Sequence, residues 1–416
     1  SSKPRAMAQD PPQPRNLGRA SPGRRSWAAE FEVAGRCADQ GCALASPHVW
    51  QRVGLQPGEF PELDSLPLVR TLDAKAPRRA YRRRLDEAKS TIHWGQRKLC
   101  LAELELLTEF FSECPGAAPL VVYAGAAPGP HLGRLCRLFP AADFEAYDPR
   151  PFDPRLAKPE GPNNLRTFQE CFTDAVARSI AERRGEQPLL FVSDIRTADW
   201  QRDSPEDHDV MLAEDMQAQR RWVEMLRPEL SLLKFRLPYA DGATEYLAGE
   251  MHLPVWGPQT TTECRLLVRG QASRGPFPVA QYDHRSFLEQ LFYFNTVTRV
   301  SVYPRLPLGT GAAAESLGEV EAALRKVGVD RCFDCSREVE ILSRFLAVSA
   351  EVPGAAGTQA WAAAVADLSC GISESCGRGR LGLLALVPAP WETAERRTRS
   401  GAGEEEDRHV SQWKRP

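Results

Sequence analysis

Two lysines and two acids stand where charge is costly. Lys234 interrupts the apolar run LSLLKF, Glu263 opens the run ECRLLV, and Asp194 closes LLFVSD. Lys98 sits in GQRKLCLAELELL, whose leucines recur at helical spacing. Taken singly, each is an edge charge or a salt-bridge partner, because such residues are seldom buried alone. Taken together, they can do acid–base chemistry. An alcohol has a high pKa, and a lysine can take its proton only when the amine is held neutral. A second lysine and a cationic partner push that pKa down, while carboxylates orient the set.

A second constellation is the turn in VVYAGAAPGPHLGRL, residues 121–135. A β-branched run precedes it, and Leu132, Leu135, Cys136 and Phe139 follow at helical spacing. In a doubly wound sheet, ligands bind outside the carboxyl ends of the strands. Gly125 lets backbone approach a ligand closely or take a conformation closed to other residues. The next helix would turn its free N–H groups toward an anionic group. Three ligand classes compete. A phosphate loop needs GK[ST] after the glycines, and that is absent. A dinucleotide fingerprint needs G-x-G-x-x-G, but Ala127 and Pro130 occupy its later positions. S-adenosylmethionine carries no phosphate, so one glycine and a Pro-Gly turn suffice for its aminocarboxylate end. Its ribose wants an acid at the end of the next strand, where Asp148 stands in FEAYDPR. The turn alone leaves the choice open.

The elements that must position these groups alternate along the chain. Helical spacing runs over 92–111, and strand-like runs fall at 119–124, 144–147, 189–193, 230–235 and 264–268. Helical stretches at about 131–139, 172–183 and 210–227 lie between them. Strands alternating with helices imply βαβ units and a mostly parallel, doubly wound α/β sheet with helices on both faces.

The remaining composition sets limits. With 42% hydrophobic and 26% charged residues, the chain can bury a sizeable core. A formal net charge of −2 creates no global basic field, so any RNA binding must use local patches such as RRAYRRR at 78–84. That stretch reads equally as a solvated helix face, with Tyr81 free to stack on a base in the sharper reading. Eleven scattered cysteines fit a reducing compartment, and no run matches a membrane span. A soluble intracellular protein of nucleus or cytoplasm, or of a virion, is expected. Cys332 and Cys335 form one C-x-x-C, but Cys370 and Cys376 do not complete a well-spaced second pair, so no metal is expected. Residues 1–80 read as a Pro-, Arg- and Gly-rich, largely irregular extension, its segment from 1 to about 30 disordered or a targeting segment, and a start at Ser1 suits a fragment or processed form. Residues 81–350 read as one domain and 351–416 as a low-complexity, disordered tail.

From about 92 to 300, the ordered motifs GQRKLCLAELELL, VVYAGAAPGPH, YDPRPFDPRL, VSDIRT, LKFRLPYAD and ECRLLV resemble one family. It is the poxvirus-type cap-specific mRNA 2′-O-methyltransferase, which doubles as the small regulatory subunit of poly(A) polymerase. The resemblance implies a Rossmann-like methyltransferase fold and S-adenosylmethionine as donor. It makes Lys98, Asp194, Lys234 and Glu263 a catalytic tetrad with Lys234 as base. It puts Gln96, Tyr123, Gly125, Ala127, Pro128, Gly129, His131, Asp148 and Arg150 at the donor, with Asp153 and Arg196 near them. Tyr239, Asp241 and Arg236 fall on cap-binding positions. Tyr81 is the nearest candidate for a second stacking aromatic, and Glu289 for a second acid. The implied partners are a capped mRNA 5′ end and a poly(A) polymerase catalytic subunit. Methylation of ribosomal or other RNA, and a non-catalytic RNA-binding subunit, are the alternatives; RLPYAD favours mRNA, and two interior lysines favour an enzyme.

Deleting residues 1–70 should leave the melting transition unchanged by calorimetry, because that segment offers little apolar surface to bury. A truncated protein without a cooperative transition would make the extension part of the core.

Overall fold

The structure is a computed structural model that describes residues 71–81, 95–158, 161–198, 204–257, 261–270, 275–299, 324, 329, 332–349 and 358–376. The N-terminal extension before residue 71, residues 82–84 of the arginine run, the start of the helical stretch at 92–94 and the end of the chain from 377 lie outside the described residues.

In chain order the elements are β1 (Thr71–Leu72), α1 (Gly95–Glu113), β2 (Leu120–Ala124), α2 (Leu132–Leu138), β3 (Asp143–Tyr147) and β4 (Leu165–Phe168). Then come α3 (Asp174–Arg183), β5 (Leu189–Ser193), α4 (Pro205–Leu226), β6 (Leu230–Arg236), β7 (Ala243–Leu247) and β8 (Glu250–His252). β9 (Glu263–Arg269), β10 (Val279–Asp283), α5 (His284–Tyr293), α6 (Phe333–Ser349) and α7 (Thr358–Ser375) follow. One sheet runs β1-β8-β9-β6-β5-β2-β3-β4, and β10 pairs with β7 in a separate ribbon. The pairings β4–β3, β3–β2, β2–β5 and β5–β6 are parallel. β9 returns antiparallel to β6 and pairs with β8. This is the doubly wound, mostly parallel α/β sheet expected.

Side-chain alternation divides the core into two layers. Val121 and Tyr123 of β2, Leu190 and Val192 of β5, and Leu230 and Leu232 of β6 face α1, α2, α6 and α7. Leu120, Val122, Leu189, Phe191, Leu233 and Phe235 face α3, α4 and α5. Central strands buried on both faces read as continuous apolar runs, which is why β2 and β5 were legible as strands.

Two boundaries differ from the sequence reading. α4 begins at Pro205 rather than near 210, because Ser204 caps it by accepting from Asp207 N–H at 3.1 Å and Pro205 suits the first turn. Residues 358–375, read as part of a low-complexity tail, form α7 and join the core. Alanine is the strongest helix former, and Ala362, Val365, Ser369, Ile372 and Ser373 recur at helical spacing as buried positions. Cys332 and Cys335 are buried in the same layer. Among the described residues no group of three metal-ligating side chains occurs, and no helix is long and apolar enough to cross a membrane.

The C-terminal helices can be tested as core. Phe345 of α6 is 1% exposed and meets Phe139 edge-on at 5.3 Å. Phe345→Ala should cost about 3–5 kcal/mol in denaturant unfolding. A loss well under 1 kcal/mol or so would mean that α6 does not close this layer.

Candidate functional site

β3 lies on one side of β2 and β5 on the other, so the chain leaves the sheet in opposite directions and a crevice opens at their carboxyl ends. Gly125 stands in that gap with φ +81°. A Cβ there would lie 2.8 Å from Ile195 N and 2.9 Å from the Asp194 carbonyl carbon. Only glycine lets the two strand ends approach this closely. The Gly125 N–H donates to Tyr147 O at 2.9 Å, and the Asp194 N–H donates to Ala124 O at 2.9 Å. The crevice has a volume of about 930 Å³ and is lined by Gly125, Asp148, Arg150, Phe172, Asp194 and Arg196, among others.

Asp148 is buried at the crevice floor and organises the turn. Its Oδ2 accepts from Ala127 N–H at 3.0 Å, and its carboxylate also accepts from Arg150 Nε and Nη2. Arg150 Nη2 donates in addition to Ala127 O at 3.0 Å. His131 and Gln96 are placed behind the turn. His131 is fully buried, with Nδ1 2.9 Å from Gln96 Oε1 and Nε2 2.9 Å from Glu103 Oε2. Tyr123 is buried on the α1 side of β2, where burial pushes its phenol pKa well up. Pro128 O accepts from Asp153 N–H at 2.8 Å, and Gly129 turns the chain with φ +59°. Asp153 itself caps a single 3₁₀ turn and is bound by Arg155.

The four charged residues read from the sequence come together beside this crevice. Lys98 projects from the first turn of α1, Asp194 follows β5, Lys234 lies on β6 and Glu263 opens β9. Lys98 Nζ is 3.0 Å from Glu263 Oε1. Lys234 Nζ is 3.0 Å from Asp194 Oδ1 and 3.9 Å from Glu263 Oε2. Two arginines complete the cluster. Arg265 Nη2 donates to Asp194 Oδ1 at 2.7 Å and lies 3.4 Å from Glu263 Oε1, while Arg196 pairs with Glu263 Oε2. Burial pushes the Lys234 ammonium below the ordinary lysine range; Asp194 and Glu263 oppose this, and Arg196 and Arg265 add to it. Burial alone would raise both acids. Lys234 and Arg265 nevertheless hold Asp194 at about 2, and Lys98, Lys234 and Arg265 hold Glu263 well below the carboxylate range.

Arg265 went unread as a site residue, although its signal was present: it lies two residues after Glu263, hence on the same strand face, inside a buried apolar run. β6 pairs with β9 so that Lys234 stands opposite Arg265 and Arg236 opposite Glu263.

Next to the cluster lies an aromatic surface. Tyr239 is 48% exposed, and the Arg236 guanidinium lies 4.5 Å from its ring centroid. Tyr81 stacks against the same ring at 5.9 Å with a 30° tilt, and the Tyr239 hydroxyl lies 3.2 Å from Thr262 Oγ1. Asp241 is exposed nearby, and Glu289 binds Arg285, whose guanidinium also feels the Asp241 charge.

The family model described as Poly A polymerase regulatory subunit matches residues 70–304, more than half of the chain. The chain belongs to this family. Two relatives are called cap-specific mRNA (nucleoside-2′-O-)-methyltransferase. That of myxoma virus (strain Lausanne) is 27% identical over 216 residues, and that of fowlpox virus (strain NVSL) 26% over 225. Each alignment covers 50% of this chain, and the chain spans 62% of the myxoma and 68% of the fowlpox relative. The solved structure of bluetongue virus VP4, described as a multifunctional RNA-capping production line, aligns over 76% of this chain and 54% of its own. Its identity of 14% and TM-score of 0.36 make that a slight likeness.

The depressed Asp194 pKa has a consequence for stability. At about 2 against an ordinary 3.8, the ionised carboxylate stabilises the fold above roughly pH 4, and that contribution is lost as pH falls toward 2. Wild type should therefore shed about 2 kcal/mol on this acid limb that Asp194→Asn does not shed. Parallel acid limbs in the two proteins would remove Asp194 from this ionic cluster.

Proposed function

We propose that this family member is an S-adenosylmethionine-dependent methyltransferase acting on the ribose 2′-oxygen of the first transcribed nucleotide of 7-methylguanosine-capped mRNA. The observation that carries this reading is Lys234, a buried lysine of lowered pKa beside a crevice at the switch point of the sheet. In its neutral form the Lys234 amine accepts the 2′-hydroxyl proton, and the oxygen gains the electron density to attack a methyl group. Asp194 and Glu263 fix the Nζ position, while Lys98, Arg196 and Arg265 neutralise those carboxylates and so limit their hold on the proton.

The residues at the crevice suit the donor. Gly125 lets the ends of β2 and β5 close up beside the crevice, Asp148 offers a carboxylate, and about 930 Å³ lies within the usual range for a small-molecule site. S-adenosylmethionine, when bound, supplies a methyl group on a sulfonium that needs no further activation. Gly125, Ala127, Pro128, Gly129, Asp148 and Arg150 would hold it from the crevice side, with Tyr123, Gln96 and His131 supporting the turn from within.

The mRNA substrate is favoured by the surface around Tyr239. Methylation at N7 gives guanine a delocalised positive charge, which an electron-rich ring face attracts. Tyr239 supplies such a ring with Tyr81 stacked beside it, Asp241 and Glu289 supply carboxylates for the guanine N–H edge, and Arg236 ties this surface to β6. The family's description extends the reading to a second partner, a poly(A) polymerase catalytic subunit.

Two experiments separate chemistry from substrate choice. Lys234→Arg and Lys234→Ala should both reduce turnover by about 10²–10⁴-fold while leaving donor affinity intact, because guanidinium stays protonated at any working pH. Substantial turnover in the arginine variant would take the base role from Lys234. Tyr239→Ala should raise KM for capped RNA by roughly one to two decades, and Tyr239→Phe should change it little. If Tyr239→Ala leaves KM unchanged for methylated and unmethylated caps, ribosomal or other internal RNA becomes the better substrate.

A further inference from the structure

Helix α1 carries Lys98 into the ionic cluster, and the residue before it is anchored elsewhere. Arg97 is fully buried. Its guanidinium ion-pairs with Glu338 of α6, which is also fully buried. It donates to Ser373 Oγ at 2.6 Å, Ser369 Oγ at 3.0 Å and Ser369 O at 3.1 Å, all on α7. Glu338 in turn accepts from Ser369 Oγ at 2.6 Å and from the Trp256 indole at 2.6 Å. The same helix braces the donor turn from its far side. Gly371 of α7 lies so close to Arg134 of α2 that a Cβ would come within 3.1 Å of the guanidinium, and Ser375 O accepts from Arg155 at 3.1 Å. Both α6 and α7 lie beyond residue 304, where the family match ends.

We propose that Arg97 is a positioning residue for the methyl-transfer centre, through which α6 and α7 set where Lys98 meets Glu263. Successive helical residues are rotated by about 100°, so fixing the Arg97 fork fixes the rotation of the first turn of α1 and the direction in which Lys98 leaves it. A guanidinium with several simultaneous partners is directional in a way that apolar packing is not. A buried ion pair is by itself weak evidence of a contribution to bulk stability, since apolar residues of similar volume often replace one at little cost. The pair's particular contribution is orientation. The C-terminal helices thus belong to the catalytic machinery without touching substrate.

This inference rests on the proposed methyl transfer, so its test includes a readout that needs no transfer. Lysines carrying ¹³C at the ε-carbon are titrated by NMR, with the Lys234 signal identified by its loss in Lys234→Arg. Two variants are compared with wild type: Arg97→Met/Glu338→Leu, which removes both charges, and Ser369→Ala/Ser373→Ala, which only loosens the fork. A Lys98 that drifts from Glu263 stops neutralising it, so Lys234 should titrate at higher pH in both variants. The kcat should fall by up to about a hundredfold with KM for RNA held, as misplacement of about 1 Å can do. Arg97→Lys, which keeps a cation beside Glu338, should retain part of the kcat that Arg97→Met/Glu338→Leu loses. A folded variant with wild-type Lys234 titration and kcat overturns the proposal. Should Arg97→Met/Glu338→Leu fail to fold, the serine pair decides. If wild type transfers methyl to no RNA, the functional reading falls, while the titration still decides whether Arg97 positions Lys98.

Discussion

The Lys234 amine, 3.0 Å from Asp194 and 3.9 Å from Glu263, is the contact on which the rest of the site depends. Two carboxylates alone would hold a lysine proton firmly. Here each carboxylate is claimed by other cations: Glu263 by Lys98 and Arg196, Asp194 by Arg265. Four cations therefore face two acids, and burial further disfavours the charged amine. Taking so many charges out of water is expensive unless geometry and hydrogen bonding repay it. That cost demands rigid elements rather than loops, and three of the four residues lie on or at the end of β5, β6 and β9.

Register does the positioning. On β6, Lys234 shares the face of Leu230 and Leu232 toward α1, while Leu233 and Phe235 face the other layer. On β9, Glu263 and Arg265 lie on one face by the same alternation, with Cys264 and Leu266 on the other. Antiparallel pairing of Lys234 with Arg265 brings the sets together beside the start of α1. A slip of one residue in β6 would turn Lys234 into the α4–α5 layer and bury an unpaired charge, so the site and the sheet specify each other. Gly125 makes the same link from the other side, because the gap between β2 and β5 closes only over a residue with no side chain.

Much of this was legible in the residues. The parallel strands showed as apolar runs because they are buried on both faces, and Lys234 and Glu263 stood out because charge inside such runs needs a reason. β4 was missed because Leu165–Phe168 is a half-buried edge strand, LRTF, with polar residues at its centre. β7, β8 and β10 were missed because their exposed positions dilute the apolar pattern. α7 was hidden by an alanine- and serine-rich composition that reads as low complexity until its 3–4 spacing is counted. Tyr81 lies 158 residues from Tyr239 in sequence, so the family resemblance, and no local pattern, put it forward as the ring that meets Tyr239 at 5.9 Å. His131 shows the reverse: a residue after the Gly125–Gly129 turn whose ring is turned inward to Gln96 and Glu103.

We propose that this cluster takes a proton from a ribose 2′-hydroxyl so that the oxygen can be methylated. The most direct measurement uses labelled S-adenosylmethionine and two capped RNAs that differ in one atom, a 2′-hydroxyl or a 2′-hydrogen on the first transcribed nucleotide. Label should pass to the hydroxyl-bearing RNA and not to its 2′-deoxy counterpart. Equal labelling of both, or labelling of neither, would take 2′-hydroxyl methylation away from this cluster.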